Sequence, residues 1–551
     1  MKNLFCLLFL FFCLTQSVSA QKIVTNERIT EAEKLADISF TPAERDSMRA
    51  NMEDHLNAFV AFHKTPLINS DVPVLYFNPL DVVNTSRTKT VTNNFEVSPK
   101  KCELPKTKDG FAFYTIPELA YLIKNKKVSA LELTQFFINR LKKYGDTLHC
   151  VINLTEKRAV AQALQADAEI NAGKWRGLLH GIPYGAKDLL AVAGAPTTWG
   201  AKPFKNQSFD YDATVIKKLD GAGAILIAKL SLGALAMDDV WFGGLTRNPW
   251  DLNAGSSGSS AGSAAATAAG LVPFAIGSET YGSIVSPSTV CGTTGLRPTF
   301  GHVSRYGAMT LCWSLDKLGP ITRSANDAAI VLQAIQGEDE KDKTTSPRSN
   351  DFNYPSTKPL NQMRVGIIKE IFDTLNINSN EWTAVNVLKS LGVQIVSVSF
   401  KTKNPDEIMD ITLASECAAA FDAFTRSNVD DEMNGQAKGD WPNYFRSARL
   451  IPAVEYINAQ RLRRKIILEI DSIIQPFDAI IGSSFGAGQC GITNLTGHPV
   501  VAVPSGFENG KPTSVSFIGN YFAEGKILTL AHAYQQKTDN HLKHPEMFSK
   551  N

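Results

Sequence analysis

The hydrophobic and polar positions of this chain follow two patterns, one typical of helices and one typical of short buried strands. Apolar residues at helical spacing predict three long helices, at residues 155–172, 404–425 and 451–474. Short, continuous apolar runs predict strands at residues 150–154, 224–229, 363–369, 393–400, 478–482 and 499–504. Capping boxes predict three more helix starts, at Thr41, Thr115 and Ser129. Helices that alternate with fully apolar strands indicate an α/β fold built around a mixed sheet.

The stretch from residue 253 to residue 299 joins this alternation to clustered serines and glycines. Along it follow a Gly/Ser cluster, an Ala-rich run of high helix propensity, a short apolar strand and a second polar turn, at residues 255–260, 262–269, 272–276 and 277–283. A helix of about 8 residues runs roughly 12 Å, and a strand of about 5 residues returns by a similar distance. We therefore expect Ser259 and Ser283 at the same end of this helix–strand unit.

Composition argues against two classes of partner. The 551 residues are 44% hydrophobic and 20% charged, as in ordinary soluble proteins. The 56 basic and 54 acidic residues leave a formal net charge of +2, which argues against a nucleic-acid or membrane-surface partner. The length fits one large α/β domain with appendages, or two or three average domains.

Residues 1–20 have the pattern of a secretory signal peptide. Lys2 supplies the positive charge, residues 4–14 are apolar, and residues 18–20 resemble a small-residue cleavage site. The apolar run is too short to cross a bilayer, which takes about 20 residues. We expect a periplasmic or secreted protein without stable membrane insertion after cleavage, and an uncleaved anchor is the alternative.

The rest of the chain divides into three predicted parts. Residues 21–105 form an N-terminal helical extension and a linker, residues 106–540 form the main domain, and residues 541–551 form a C-terminal tail. The cysteines after the signal peptide are far apart and form no C-x-x-C pair, which argues against a zinc or thioredoxin-like site. Which of these cysteines form disulfide bonds with one another, if any, is left open by the sequence.

The second polar turn has the groups that a serine nucleophile requires. A serine hydroxyl becomes an effective nucleophile only beside a base and beside donors for the developing oxyanion. The turn that leads to Ser283 offers the backbone N–H groups of Thr280, Tyr281, Gly282 and Ser283.

Lys187 is the best candidate for the base, because it ends a short strand in an apolar, Gly-rich setting. A lysine with the ordinary pKa near 10.4 is almost fully charged at pH 7, so this role needs a pKa lowered by about 3 units. A bridging hydroxyl such as that of Ser259 would relay the proton. His302 and His498 are alternative bases, but nothing in the sequence around them marks either one.

These residues resemble the motifs of the amidase signature family. The family motif Gly-Ile-Pro-x-x-x-Lys-Asp matches residues 181–188, and the Ser-Ser-Gly-Gly segment matches residues 259–262. The Gly-Ser-Ile turn matches residues 282–284, and further matches extend the resemblance over most of residues 106–540.

The resemblance implies a fold and a catalytic triad. The fold is a single large domain whose mixed central β-sheet is covered by helices on both faces, preceded here by a short helical extension. The triad consists of Lys187, a bridging Ser259 held by a cis peptide bond, and the nucleophile Ser283. No metal or organic cofactor is implied.

Three positions near Ser283 depart from the family pattern, namely Glu279, Tyr281 and Val285. The family commonly has Asp-x-Gly-Gly-Ser-Ile-Arg, where this chain has Glu279-Thr-Tyr281-Gly-Ser-Ile-Val285. The Tyr281 ring would shape the pocket, and Val285 removes an arginine that could bind an anionic group. This form looks more like bacterial peptide amidases than the transfer-RNA amidotransferase A subunit. We expect substrate contacts from five residues: Thr280, Tyr281, Gly282, Ser260 and Val285.

The expected function is that of an exported amidase. It would hydrolyse a small-molecule or peptide amide to an acid and ammonia or an amine, through an acyl-enzyme on Ser283. The alternatives are an α/β-hydrolase esterase that uses Ser260 in the G-x-S-x-G match at residues 258–262, a binding protein on a decayed amidase scaffold, and an amidotransferase subunit. The signal peptide argues against the last of these, and a homodimer is left open.

Overall fold

The structure is a computed structural model that describes residues 24–65, 67–83, 94–350, 352–404 and 406–549. The predicted signal peptide lies outside the described residues. The chain divides into two compact units between Leu67 and Ile68. The domain boundaries expected from the sequence, at residues 105 and 540, stay predictions.

Helices make up much of both units. The first unit contains α1 (Asn26–Leu35) and α2 (Pro42–Phe62). The described residues of the second unit contain α3 (Ile116–Lys124), α4 (Ala130–Leu148), α5 (Glu156–Asn171), α6 (Thr214–Gly221), α7 (Ala261–Ala268), α8 (Val285–Cys291), α9 (Ala325–Ile335), α10 (Lys369–Phe372), α11 (Asn380–Ser390), α12 (Ile408–Ala420), α13 (Asp422–Arg426), α14 (Trp441–Ala448), α15 (Ala453–Ile474), α16 (Gln489–Thr496), α17 (Glu524–Gln535) and α18 (Glu546–Ser549).

The strands belong to the second unit. They are β1 (Val151–Leu154), β2 (Pro183–Lys187), β3 (Ile225–Leu230), β4 (Val240–Trp241), β5 (Gly244–Leu245), β6 (Arg247–Asn248), β7 (Asp251–Gly255), β8 (Ala275–Glu279), β9 (Thr294–Arg297), β10 (Lys317–Thr322), β11 (Arg364–Ile368), β12 (Gln394–Val398), β13 (Ala479–Ser483), β14 (Val500–Glu508) and β15 (Lys511–Ile518).

Eleven of these strands form one mixed sheet, in the order β1-β3-β2-β8-β10-β9-β14-β15-β13-β11-β12. The pairs β2–β3 and β2–β8 are parallel, whereas β8–β10 and β9–β14 are antiparallel. Helices pack on this sheet along its length, as α5 does on β3 and α17 does on β14. The predicted α/β fold with a mixed central sheet is therefore confirmed.

Local sequence signals placed several helices correctly. The capping boxes at Thr41, Thr115 and Ser129 are all formed, with each hydroxyl accepting the N–H of the glutamate three residues on. Reciprocal bonds of this kind satisfy donors that a helix start would otherwise leave unpaired.

Two predicted elements differ from the structure. The predicted helix over residues 404–425 is divided into α12 and α13 at Phe421. The predicted strand at residues 272–276 lies later, at Ala275–Glu279, because residues 271–273 form a bend before the chain enters the sheet. In the part of the chain that the structure describes, no helix is long and apolar enough to cross a membrane.

Candidate active site

The adjacent parallel strands β2 and β8 bring the candidate residues together. Lys187 is the last residue of β2, and Glu279 is the last residue of β8. Because the carboxyl ends of parallel strands lie at the same edge of a sheet, Lys187 meets the turn that follows β8.

The Lys187 side chain is fully buried among serines. Its Nζ lies 2.8 Å from Ser259 Oγ, 2.8 Å from Ser278 Oγ and 3.1 Å from Ser260 Oγ. Ser260 also donates to the Ser278 carbonyl oxygen at 3.0 Å and accepts the Ser278 N–H at 3.1 Å. The sequence singled out Ser259 and Ser260, but it gave no signal for Ser278.

Burial lowers the pKa of Lys187 well below its ordinary value. The carboxylates of Asp316 and Glu279 act in the opposite direction, but desolvation is the larger effect. The direction is the one that a lysine base requires, since a lower pKa increases the fraction of neutral amine near pH 7.

The loop before α7 presents Ser259 to Lys187. The peptide bond between Gly258 and Ser259 is cis, at the position where the family resemblance implies it. All of α7 is buried, and at Gly262 an added Cβ would lie 2.5 Å from the Ser231 backbone nitrogen. Small residues are required here because the helix backbone packs closely against the end of β3.

The two serine turns meet, as the length argument from the sequence predicted. The N–H of Ser260 donates to the carbonyl oxygen of Ser283 at 3.2 Å. Ser283 is partly exposed, and its hydroxyl forms no hydrogen bond with any residue that the structure describes. A hydrogen bond between Ser259 and Ser283 is therefore not formed in this conformation, which is common for catalytic pairs without substrate.

Four successive backbone donors remain available in residues 280–283, which we call the nucleophile turn because Ser283 is the candidate nucleophile. Within the described chain, the N–H groups of Thr280, Tyr281, Gly282 and Ser283 have no hydrogen-bond acceptor. Gly282 has a φ of +96°, a conformation that a side chain would strain. Unpaired donors that face one another across a tight turn can stabilise an oxyanion.

The carboxylate of Glu279 fixes the end of this turn through hydrogen bonds to the two residues that follow it. Its Oε2 accepts the N–H of Ile284 at 2.8 Å and the N–H of Val285 at 2.9 Å. Its Oε1 accepts hydrogen bonds from Arg297 at 2.8 Å and from Asn494 at 2.7 Å. Burial alone would raise the pKa of Glu279, but Arg297 and the other donors hold it below its ordinary value.

Two aspartates fix the surroundings of the site, and neither was assigned a role from the sequence. Asp316 accepts the Thr280 hydroxyl at 2.6 Å, which ties the nucleophile turn to the segment before β10. Asp188 follows Lys187 and forms a fully buried ion pair of 2.6 Å with Lys229 on β3. Asp188 thereby fixes the backbone that carries Lys187.

A cavity of about 380 Å³ opens beside the nucleophile turn. Ser278, Thr280 and Asp316 form part of its wall, and Ser278 also contacts Lys187. Aromatic side chains form much of the remaining wall, namely Trp199, Phe209, Tyr211, Tyr306 and Trp313. A site of this kind suits a substrate with an apolar part and a small polar reacting group.

The other residues expected to contact substrate lie in different surroundings. Tyr281 is 50% exposed, and a Cβ added at Gly491 of α16 would lie 3.2 Å from its ring. Val285 and Ser260 are buried. Their substrate contacts stay predictions, as do those of Thr280 and Gly282.

The candidate histidines are engaged elsewhere. His302 lies 2.7 Å from a Glu524 carboxylate oxygen and 3.1 Å from the Gln336 side-chain oxygen. His498 pairs with the Thr496 hydroxyl at 2.7 Å, and burial, with Arg297 nearby, lowers its pKa to about 3. Neither residue is hydrogen-bonded to a serine of the site.

The G-x-S-x-G match does not form the strand–turn–helix elbow of an α/β-hydrolase. The preceding strand, β7, pairs only with β6 in a separate two-stranded sheet, whereas that elbow follows a strand of the central sheet. Among the described residues, no group of three or more His, Cys, Asp or Glu side chains is placed to hold a metal ion.

The chain is similar in sequence to known proteins. Residues 132–489 match the family described as Amidase. The chain is 33% identical over 479 residues to the glutamyl-tRNA(Gln) amidotransferase A subunit of Marinomonas sp. (strain MWYL1), a match that covers 79% of this chain and 98% of the relative.

Solved structures share the fold. The peptide amidase from Stenotrophomonas maltophilia superposes with a TM-score of 0.69 at 27% identity, covering 78% of this chain and 98% of the other. An amidase family protein from Bacillus anthracis str. Ames gives a TM-score of 0.70 at 25% identity, covering 79% and 92%. About a fifth of the present chain lies outside each of these matches.

Proposed function

Since the chain belongs to the amidase signature family, whose members act on amide C–N bonds, we propose that it hydrolyses a carboxylic or peptide amide through an acyl-enzyme on Ser283. One observation carries the proposal. A fully buried lysine of lowered pKa contacts Ser259, and the next residue, Ser260, is hydrogen-bonded to Ser283 in a turn with four unpaired N–H donors.

In the proposed reaction, neutral Lys187 takes a proton from Ser259, which takes one from Ser283. The Ser283 oxygen attacks the amide carbonyl carbon, and the bond to nitrogen then breaks. The departing ammonia or amine receives its proton from Lys187 through Ser259. A water molecule, deprotonated by the same pair, hydrolyses the ester and releases the acid.

The tetrahedral oxyanion is stabilised by backbone donors of residues 280–283. The turn is fixed at one end by the bond from the Thr280 hydroxyl to Asp316 and at the other by the bond from the Ile284 N–H to Glu279. These N–H groups therefore need little rearrangement when negative charge develops. Such preorganised donors are usually a major source of rate enhancement.

We further propose that this enzyme is exported from the cytoplasm. The signal-peptide pattern of residues 1–20 supports a periplasmic or secreted enzyme that meets its substrate outside the cytoplasm. A tagged full-length chain, expressed and fractionated, would test this. Recovery of uncleaved protein in the cytoplasmic fraction would contradict it.

An amidotransferase subunit is the competing hypothesis, because the sequence relatives carry that name. The two hypotheses differ in whether the chain works alone. Purified protein would be incubated with aliphatic, aromatic and peptide C-terminal amides, and ammonia release would be measured. Hydrolysis by wild type but not by Ser283→Ala supports the proposal, whereas silence across the panel contradicts it.

A further inference from the structure

A segment that precedes the family match lies against the catalytic cavity. The match begins at residue 132, yet Ile68, Asn69, Ser70 and Val72 all line the 380 Å³ cavity beside Thr280. Part of the wall of the cavity beside Thr280, three residues before the proposed nucleophile, is therefore formed by residues that precede the matched region.

The segment is fixed at one end by Asn69. Residues 68–71 form a turn in which the Asp71 N–H donates to the Ile68 carbonyl and the Ile68 N–H donates to the Asp71 carboxylate, both at 2.9 Å. On this turn Asn69 donates to the Thr310 carbonyl and accepts the Thr310 N–H, both at 2.8 Å. It also donates to the carbonyl of Ala420 at 3.4 Å.

The segment is fixed at the other end by aromatic packing. The Phe77 ring lies over the Arg463 guanidinium, with 3.6 Å between its centroid and the guanidinium carbon. It also packs edge-on against Phe300 at 4.9 Å. A small apolar cluster follows, in which Val83 is buried together with Ile467, Tyr521 and Phe522.

Between these two ends the segment is loosely held. Val74 and Leu75 are each 87% exposed, and residues 72–76 form no hydrogen bond with any part of the chain that the structure describes. Local openings of this kind cost little, because few contacts are broken.

Residues further along the same segment, among them Val72, Leu75 and Tyr76, line a second cavity of about 900 Å³. Val72 lines both cavities, and so do Arg305 and Trp313. Displacing the segment would therefore join the catalytic cavity to a larger space.

We propose that residues 68–77 form a strap that determines which amides reach Ser283, and that Asn69 holds this strap closed. The proposal rests on the proposed amidase function. With the strap fixed, the substrate group beside Thr280 is confined to the smaller cavity, so short amides are preferred. Releasing the strap joins the two cavities and admits longer amides.

The test is Asn69→Ala in the full-length protein, assayed with propionamide and with a capped dipeptide amide. The matched control is Asn125→Ala, which also removes an asparagine bonded to a backbone carbonyl, at the end of α3. Each net hydrogen bond shifts an open–closed equilibrium about fivefold. We expect kcat/KM for the dipeptide amide relative to propionamide to rise at least about fivefold in Asn69→Ala and to stay unchanged in the control.

Limited chymotrypsin digestion reports on the strap without any assay of activity. We expect faster cleavage near Leu75 and Tyr76 in Asn69→Ala than in wild type or the control. Asn69→Asp keeps the acceptor for the Thr310 N–H but places a carboxylate oxygen against the Thr310 carbonyl oxygen, so it should open the strap at least as far as Asn69→Ala in both measurements.

Two results would contradict the proposed role of the strap. Faster cleavage with an unchanged substrate ratio would show that the strap opens without selecting substrates, and unchanged cleavage would show that Asn69 does not hold it. A wild-type protein that hydrolyses no member of the whole amide panel overturns the proposed function itself, and this inference with it.

Discussion

The side-chain nitrogen of Lys187 lies 2.8 Å from the hydroxyl oxygen of Ser259, although 72 residues separate the two in the chain. The contact exists because β2 and β8 are adjacent and parallel, and because the loop before α7 enters at their common edge. The proposed base and relay hydroxyl therefore lie at the sheet edge from which the turn that carries Ser283 begins.

Replacing Lys187 should remove catalysis without unfolding the protein. Lys187→Met keeps most of the side-chain volume but has no basic nitrogen, so no group can accept the Ser259 proton. We expect kcat for amide hydrolysis to fall at least about 100-fold, the lower end for the loss of a general base. Circular dichroism would establish that the variant is folded, and near wild-type kcat would rule out the triad.

The same variant should change how stability depends on pH. Because the pKa of Lys187 is lower in the folded than in the unfolded protein, the unfolded state binds more protons between those two values. Wild-type stability should therefore rise with pH through that window, up to the ordinary lysine pKa. Lys187→Met lacks this contribution, so the free energy of unfolding of wild type minus that of the variant should rise by about 1.4 kcal/mol per pH unit across the window.

Urea unfolding of both proteins at several pH values from 6 to 10 (a range set by the lysine pKa of about 10.4) measures that difference directly. A difference in unfolding free energy that does not change with pH would mean that Lys187 stays charged in the folded protein.

Ser278 and Ser259 both contact Lys187 but should differ in importance. Ser259→Ala removes the proposed relay, and we expect a loss in kcat of at least about 100-fold. Ser278→Ala removes one of several hydrogen bonds to Lys187 and should cost only about five- to tenfold. Steady-state kinetics of the two variants would separate these roles, and equal losses would show that Ser259 has no special part in proton transfer.

Glu279 should contribute to the stability of the folded protein. Glu279→Ala leaves Arg297 buried without its partner and frees the N–H groups of Ile284 and Val285, which should cost about 3–5 kcal/mol in the free energy of unfolding. Denaturant titration measures this cost. Because the pKa of Glu279 is lowered in the folded protein, its contribution should persist above its ordinary pKa and disappear as pH falls through the folded value.

Tyr281 should affect substrate choice more than chemistry. Tyr281→Gly restores the residue that is common in the family and leaves the backbone donor at this position. We expect kcat/KM ratios among aliphatic, aromatic and peptide amides to change by about tenfold or more, as the loss of a large apolar contact typically does. Tyr281→Phe is the control, and identical ratios in all three proteins would show that the ring does not reach the substrate.

Much of the fold followed from local signals. Thr41, Thr115 and Ser129 mark their helices through side chains only three residues away. The opposed directions of α7 and β8 followed from element lengths alone, which is why the meeting of the two serine turns could be predicted.

What the sequence did not reveal depends on long-range contacts. Ser278 becomes a partner of Lys187 only through the pairing of β2 with β8, since nothing in its own neighbourhood marks it. Asn69 is an ordinary polar residue until the fold places it against Thr310 and Ala420, which are 241 and 351 residues away. The bond from Thr280 to Asp316 likewise requires β8 and β10 to be neighbours.

The proposed mechanism is tested most directly by identifying the residue that reacts with a serine-specific fluorophosphonate. Peptide mapping by mass spectrometry after labelling would locate the modified residue. We predict a single adduct on Ser283 that is absent in Ser283→Ala and forms much more slowly in Lys187→Met. An adduct on Ser260, or labelling at Ser283 that proceeds at the wild-type rate without Lys187, would contradict the proposed mechanism.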